Sequence, residues 1–577
     1  MEQLDLQLDP HPSAAIADAR ARAAIVRALR EIGGRLRLAG DNPFRARAYD
    51  NGANAVEALS DAELAQRVAS ATLTEVPGIG GALAAVISEL AQTGRAGVLD
   101  RLREAAPAAL LELTRLPGIS KDRAVRLHDA LAVNNIDELA AAARAGRVRD
   151  VKGFGPKREA AILAAIDAYQ RRPQAIRLVD ARDAARALAA FVAAQPGVAA
   201  VDVVGGVRLW DEVIDEIAVV ATAERDVGSA AEMLAAYPPL ARIEVGGTDS
   251  AVGRLADATR ARVRLTSPAR RGVALIEDTG PRAHVDVLRA RARERGLNWD
   301  TLVATDEQAL YAALDLAAVP PEARGWSALP SAAEVSALVT AGDLRGLVHC
   351  HTDASDGHHT LADMARAADA RGASYMTITD HSPAASYAGG LDVDRLRRQW
   401  DDIDRVQATV NVRLLRGIES DILADGALDY PDDVLDQLDV IIASIHARHR
   451  MDATAMTARL TRAMRLPMFK IWGHPLGRLV LRREPIACDV EAVLDAVAES
   501  RAAIEISGDP YRLDLPPAWI PAARQRGIRF VISSDAHAVA DLDNVEYGVA
   551  LARRGGVRRS EVLNALPFDA FHNAVRP

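Results

Sequence analysis

Cysteine is almost absent from this chain. Its 577 residues hold two, Cys350 and Cys488, which excludes a disulfide framework and points to a reducing cytoplasm. Long apolar runs are absent too. No stretch reaches the roughly twenty residues that a membrane span needs, so neither a transmembrane helix nor a membrane partner is expected. The first residues, Met1 to Asp9, bring acids and no apolar core and do not read as a signal peptide. Lysine is rare: Lys121, Lys152, Lys157 and Lys470 are all there are, and arginine stands nearly everywhere else. The net charge of −9 argues at first against nucleic acid, but it is unevenly spread. Residues 1–175 hold 24 Lys/Arg against 22 Asp/Glu, and the remainder holds 46 against 57. Several of those surplus acids stand in metal-ligand patterns, where cations would cancel them.

What is present is an apolar content of 49%, ordinary for a globular chain, and length enough for several domains. Residues 1–172 are rich in Ala, Leu and Arg at helical spacing. Gly-containing turns interrupt them, which predicts many short helices. Residues 173–322 change character. The runs 201–206, 216–222, 241–247, 262–266, 272–278 and 283–289 predict short strands in a mostly antiparallel sheet flanked by helices. Residues 323–343, with their prolines, read as a linker. From 344 to 577, short apolar strands at 346–351, 375–380, 413–420, 440–446, 469–474, 502–507 and 529–535 alternate with helical stretches. That rhythm is compatible with a parallel β/α barrel, whose active sites lie at the C-terminal ends of the strands.

Three N-terminal segments share one pattern: Val76-Pro77-Gly78-Ile79-Gly80, Leu116-Pro117-Gly118-Ile119-Ser120-Lys121 and Val151-Lys152-Gly153-Phe154-Gly155-Pro156-Lys157. Each joins two helical stretches by a glycine turn. Glycine allows positive φ and close approach of the backbone to a ligand. The following helix then aims its free N–H groups at that ligand, a ready phosphate site. One copy is equally well a plain helix connection. Three copies predict contact with the DNA backbone, without base readout, through Gly78, Gly80, Gly118, Lys121, Gly153, Gly155 and Lys157.

Nine candidate metal ligands follow in the C-terminal region: His349, His351, Asp356, His381, Glu419, His446, His474, Asp535 and His537. Of the thirteen histidines, nine fall between 349 and 537. A lone buried histidine is more often a satisfied core residue than a ligand. This many at strand ends reverses that reading. Imidazole and carboxylate suit Zn²⁺, Mn²⁺ or Fe²⁺. His349 and His351, two apart on a strand, are expected to project to one side, with Cys350 packed on the other.

The run Gly40-Asp41-Asn42-Pro43-Phe44-Arg45-Ala46-Arg47-Ala48-Tyr49, followed by the hairpins, resembles the N-terminal domain of X-family DNA polymerases. The ligand set resembles the polymerase-and-histidinol-phosphatase (PHP) domain fused to the bacterial members, and 305–325, 426–439, 473–485 and 509–515 match that group as well. The resemblance implies a multidomain chain: an all-α helix-hairpin-helix region, an α+β nucleotidyltransferase-like palm, and a distorted TIM-like PHP barrel. It also groups the ligands. His349, His351, Glu419 and Asp535 would hold one divalent ion, Glu419 with His446 and His474 a second, and Asp356, His381 and His537 a third. Hydroxide would be held at the bridging Glu419. Arg448, Arg478 and Arg512 accompany these motifs as candidate phosphate clamps.

The palm departs from the family. Where the resemblance implies two metal-binding Asp one residue apart on a strand, this chain carries Glu216 and Ala218, leaving Asp286 as the third carboxylate. The nucleotide-gripping Tyr-Phe-Thr-Gly-type turn expected after Asp286 is not found there. Polymerase activity is therefore expected to be lost. The helix after the first hairpin, Gly81 to Ile87, has no amine, so lyase chemistry through a Schiff base is not expected there. The implied activity is a metal-dependent 3′-to-5′ exonuclease or related 3′-end phosphodiesterase in DNA repair. The alternatives are a histidinol-phosphatase-like small-molecule phosphatase and a non-catalytic DNA-binding scaffold.

Overall fold

The computed structural model describes residues 14–39, 43–57, 59, 61–76, 78–105, 113–114, 116, 118–133, 135–171, 175–223, 227–255 and 259–577. Gly40, Asp41 and Asn42 of the N-terminal motif lie outside the described residues, as do Pro77, Pro117 and the Lys121 side chain. Up to Arg171 the described chain is helical, in two modules with separate cores. Ile25, Leu29, Ile32 and Ile87 anchor the first, and Leu127, Leu139, Val148 and Ile166 the second.

The next region begins with β1 (Ile176–Arg177), β2 (Val198–Val204), β3 (Val213–Ile214) and β4 (Glu216–Ala223). Then come β5 (Leu240–Val245), β6 (Ser250–Leu255) and β7 (Arg260–Thr266). β1 and β3 form a small antiparallel ribbon. The others form one sheet in the order β2-β4-β7-β6-β5, antiparallel except where β4 runs parallel to β7. Two of the runs expected as strands are helices, Arg271–Thr279 and Arg282–Glu294. Val273 with Ile276, and Val285 with Leu288 and Ala292, recur at helical spacing and pack into one core.

The stretch 323–343 is ordered chain laid against the barrel. The Trp326 indole N–H donates to the Arg554 carbonyl at 2.9 Å, and Val339 N–H donates to Val557 O at 3.1 Å. Glu322 pairs with Arg553 just before it.

The C-terminal domain is built on β8 (Gly346–Cys350), β9 (Tyr375–Ile378), β10 (Arg413–Asp421), β11 (Val440–Ser444), β12 (Lys470–Trp472), β13 (Ala502–Ser507) and β14 (Phe530–Ser533). All pair in sequence order and in parallel. The ends approach each other past the last strand: His351 N–H donates to Ala536 O at 2.8 Å, and Ala536 N–H to His349 O at 3.0 Å. The result is a nearly closed seven-stranded barrel in which Ile378, Ile418, Ala443, Trp472 and Ile504 pack with the surrounding helices, while Val348, Leu415, Ile442, Ile471 and Ala503 on the opposite strand faces form a second core with Phe571 and Val575. Among the described residues no helix is long and apolar enough to cross a membrane.

Candidate metal centre

All nine candidate ligands converge on the rim formed by the C-terminal ends of the barrel strands, around Glu419. The Glu419 carboxylate is fully buried. Its Oε1 lies 2.8 Å from His474 Nε2, 3.2 Å from His446 Nε2 and 3.4 Å from His349 Nε2. Its Oε2 lies 2.9 Å from His381 Nδ1. Asp535 Oδ1 meets His351 Nε2 at 3.2 Å and His349 Nε2 at 3.4 Å. Asp356 bridges His381 at 3.5 Å and His537 at 3.4 Å.

His349 and His351 do face one another, with ring centroids 5.2 Å apart, but simple alternation is not the reason. The strand pairing slips between Leu347 and Cys350, and His349 has φ of +65°. Asp535 at +49° and His474 at +24° also have left-handed backbones. Such residues persist only where the surroundings hold them, as they do at functional sites. Gly473 contributes differently. A Cβ there would lie 2.3 Å from Ser444 Oγ, so only glycine lets β12 bring His474 this close to β11.

The donor set suits divalent cations. His349 Nε2, both ring nitrogens of His351, His381 Nδ1 and His446 Nε2 are buried and make no hydrogen bond. Buried polar atoms are normally paired, so unpaired nitrogens turned toward carboxylates fit ligands. Three groups have ligand atoms within 4.8 Å of one another: His349, His351 and Asp535; His381, Glu419 and His446; and His351, Asp356, His381 and His537. This grouping differs from the expected one. His351 and His381 are each shared between two groups, and His474 reaches the centre through Glu419 alone.

The electrostatics agree. Burial opposes charge on His381, yet Glu419 and Asp356 hold its pKa up at about 10. Burial likewise opposes charge on His537, which Asp356 and Asp535 hold at about 9. Against the same burial, the imidazoles hold Glu419 and Asp535 well below the usual carboxylate range. Burial prevails on two other imidazoles, pushing His351 down to about 3 and lowering His474.

Two acids escape sequence reasoning. Glu505 on β13 is fully buried. Its carboxylate accepts hydrogen bonds from His349 Nδ1 at 2.6 Å and from the His474 backbone N–H at 2.5 Å. Asp421 meets His446 Nδ1 at 3.2 Å. Each leaves the opposite Nε2 facing the centre, as partners of metal-bound histidines do. The only available signal was a carboxylate inside an apolar strand run.

The arginines divide. The Arg512 Nε sits 3.3 Å from Asp535 Oδ2 at the edge of the centre. Arg448 is exposed. Arg478 is engaged away from the centre. Its guanidinium is consumed by Glu212 at 2.8 Å and by the Arg512 and Leu513 carbonyls.

The palm holds the opposite arrangement. Glu216 and Ala218 lie on β4, with Ala218 in register with Arg262 on β7. Asp286, expected as the third carboxylate, is not on this sheet. It sits on the helix Arg282–Glu294 with 57% of its side chain exposed, beside Arg282. Glu216 is in register with Arg260, and its carboxylate also meets Arg262, whose Nε bonds Glu216 Oε1 at 2.8 Å and whose Nη1 bonds Asp278. A Thr-Gly turn does occur, before Asp286 and not after it, as Thr279-Gly280 closing the preceding helix. Glu277 and Asp278 precede it, and both are bound to Arg264. Arg208, the remaining arginine of the Gly205-Gly206-Val207-Arg208 turn, is held by Glu307 at 2.6 and 2.8 Å.

The three hairpins are one turn repeated. Gly78, Gly118 and Gly153 have φ of +90°, +85° and +93°. The next residue, Ile79, Ile119 or Phe154, plugs into its core and donates its N–H three residues back at 3.0, 3.1 and 2.9 Å. A helix starts just beyond each, at Gly81, Lys121 and Pro156. Lys152 and Lys157 are exposed.

Comparison with known proteins follows the same division. Residues 20–96 match the helix-hairpin-helix domain model, and 110–168 the SAM-like helix-hairpin-helix tandem. The chain is 30% identical over 556 residues to the DNA polymerase/3′-5′ exonuclease PolX of Bacillus subtilis, covering 94% of this chain and 97% of that one. A probable phosphatase of Caldanaerobacter subterraneus is 29% identical over 228 residues, 37% of this chain and 85% of its own. One of Aeromonas hydrophila is 27% identical over 233 residues, 38% and 89%.

Proposed function

Because this chain belongs to the family of the bacterial DNA polymerase/3′-5′ exonuclease PolX, we propose that it is a metal-dependent phosphoesterase that trims DNA 3′ ends in repair and no longer polymerises. The observation that carries this reading is the convergence of nine buried or half-buried His, Asp and Glu side chains on one rim, with unpaired imidazole nitrogens turned inward. Those nine residues would hold divalent ions, up to three by the three groups, of the Mn²⁺, Zn²⁺ or Fe²⁺ kind. Such ions, when bound, make water a stronger acid and shield phosphate charge. Glu505 and Asp421 orient His349 and His446 through their Nδ1 atoms. Arg512, ion-paired to Asp509 and Asp535, offers a fixed positive charge to a phosphate at the edge.

DNA as the substrate is supported by the three hairpins, whose turns present helix N-termini as phosphate sites. Loss of polymerisation is supported by Ala218 and by Arg262 standing where carboxylates would gather Mg²⁺. The kinship with probable phosphatases favours a second reading, a small-molecule phosphatase of the histidinol-phosphate kind.

One assay separates the two. The purified chain is given labelled 3′-recessed DNA and, separately, histidinol phosphate, each with Mn²⁺ and with a chelator. The nuclease reading expects stepwise shortening from the 3′ end that the chelator abolishes. Phosphate release from histidinol phosphate with intact DNA favours the phosphatase. No metal-dependent turnover of either substrate overturns both.

A further inference from the structure

The palm turn 205–212 does not end at the palm. Its last three residues reach the barrel. Trp210 packs edge-on against Tyr547 at 5.4 Å, and its carbonyl accepts from Arg554 at 2.6 Å. Asp211 pairs with the same arginine at 2.8 Å. Glu212 grips Arg478 with both carboxylate oxygens at 2.8 Å. Arg478 in turn donates from Nε to the Arg512 carbonyl at 2.9 Å and from Nη2 to the Leu513 carbonyl. A second palm residue meets the same loop: the Arg177 guanidinium stacks 4.4 Å from the ring of Tyr511. Arg177 and Glu212 flank the β1–β3 ribbon, so one small palm element holds the loop 509–515 at two points. That loop turns sharply, with φ of +49° at Leu513, and it presents Arg512 to Asp535.

We propose that Glu212 is a positioning residue for the phosphoesterase site: through Arg478 it fixes the loop that aims Arg512 at the metal-binding rim. The palm turn would thus serve the hydrolytic centre of another domain. Glu212 is well placed for this. Arg478 has 11% of its side chain exposed, and Glu212 supplies this mostly buried guanidinium with one hydrogen bond from Nη1 and a second carboxylate oxygen close to Nη2. Without Glu212, Arg478 keeps the carbonyl contacts and the nearby Asp514 charge but loses its ion-pair partner in the palm, and the loop loses one of its two palm supports.

This proposal rests on the phosphoesterase reading, and its test separates the two. In the full chain, kcat and KM for bis-p-nitrophenyl phosphate with Mn²⁺ are measured for wild type, Glu212→Ala, Glu212→Gln, Arg512→Ala and the Glu212→Ala/Arg512→Ala pair. Amide hydrogen exchange of the peptide spanning 509–515 is followed without metal. Glu212→Ala should raise KM about tenfold with little change in kcat, within the range for residues sharing one network. It should also speed exchange in that peptide. Glu212→Gln, which keeps an oxygen acceptor, should recover most of both effects. The pair should be no worse than Arg512→Ala alone. Unchanged KM and exchange in Glu212→Ala, or losses that multiply in the pair, overturn the proposal. A wild-type chain inactive on the diester counts against the phosphoesterase reading, and exchange then decides the positioning claim by itself.

Discussion

The barrel rim and the palm sheet each gather acids at one place, and they answer that charge differently. On the rim, Glu419, Asp535 and Asp356 face imidazoles whose inner nitrogens lack hydrogen-bond partners. On the palm, Glu216, Asp278 and Glu277 face Arg262, Arg264 and Arg289, guanidiniums that never lose their charge. The rim is left for exchangeable cations. The palm carries its own permanent ones. On the proposed function, one chain thus holds a site open to ions beside one closed to them, with imidazole in the first where guanidinium stands in the second.

The sharpest way to break this comparison is His349→Ala with His351→Ala. Removing two imidazoles from one group should lower Mn²⁺-dependent hydrolysis roughly a thousandfold or more, since a bound Lewis acid contributes several kcal/mol to the barrier. Unchanged turnover in a clean preparation would place the chemistry elsewhere. A smaller loss is expected from Glu505→Gln, which keeps its place in the core but orients His349 less well. About 10–100-fold in Mn²⁺ affinity or rate is the usual effect of such a partner, and a Mn²⁺ titration of activity reads it.

The palm side is sharpened by pH. Burial, helped by the Arg324 charge, holds His284 down at about 4 against an ordinary 6.5. Its ring shares a 2.6 Å hydrogen bond with Tyr311. The unfolded imidazole takes up a proton as pH falls through about 6.5, and the folded one refuses it until about 4. Stability is therefore full above 6.5 and drains away between 6.5 and 4, by roughly 2–3 kcal/mol. Urea melts at pH 7 and pH 4.5 should show this fall, and His284→Gln should flatten it. An equal fall in that variant would assign it to other groups. Last comes an expected non-effect. Ala218→Asp, made in a chain that also lacks His349 and His351, should leave primer extension on gapped DNA at background, because Arg262 still occupies the facing strand position. Template-directed synthesis would show that the arginines do not close the palm.

Much of the rim was legible in the sequence. Its ligands sit at the ends of apolar strand runs, and a β/α barrel brings strand ends together whatever the loops do. What could not be read is how they converge. The slip at His349 and the left-handed backbones of Asp535 and His474 are properties of the closed barrel, and the nearness of His351 and His381 to two groups each is visible only there. The palm misled for a different reason. Val285-Asp286-Val287 alternates like a strand, but over a longer window Val285, Leu288 and Ala292 keep helical spacing, and the helix won. Once Asp286 left the sheet, the partner of Glu216 could come only from strand register, and Arg262 is visible only there. Arg478 teaches a related lesson. It stands four residues after His474 in the chain, yet it points toward the palm.

The barrel seam has a consequence for synthesis. His349 and His351, on the first strand, are stitched by backbone hydrogen bonds to Ala536, just past the last. Two of the three ligand groups draw on both sides of that seam. A chain emerging from the ribosome delivers its hairpins first, and each module has its own core and can fold without waiting. The groups on the barrel rim cannot be assembled until the final strand arrives. On the proposed function, a nascent or prematurely terminated copy would carry its hairpins before it carried a complete metal-binding rim.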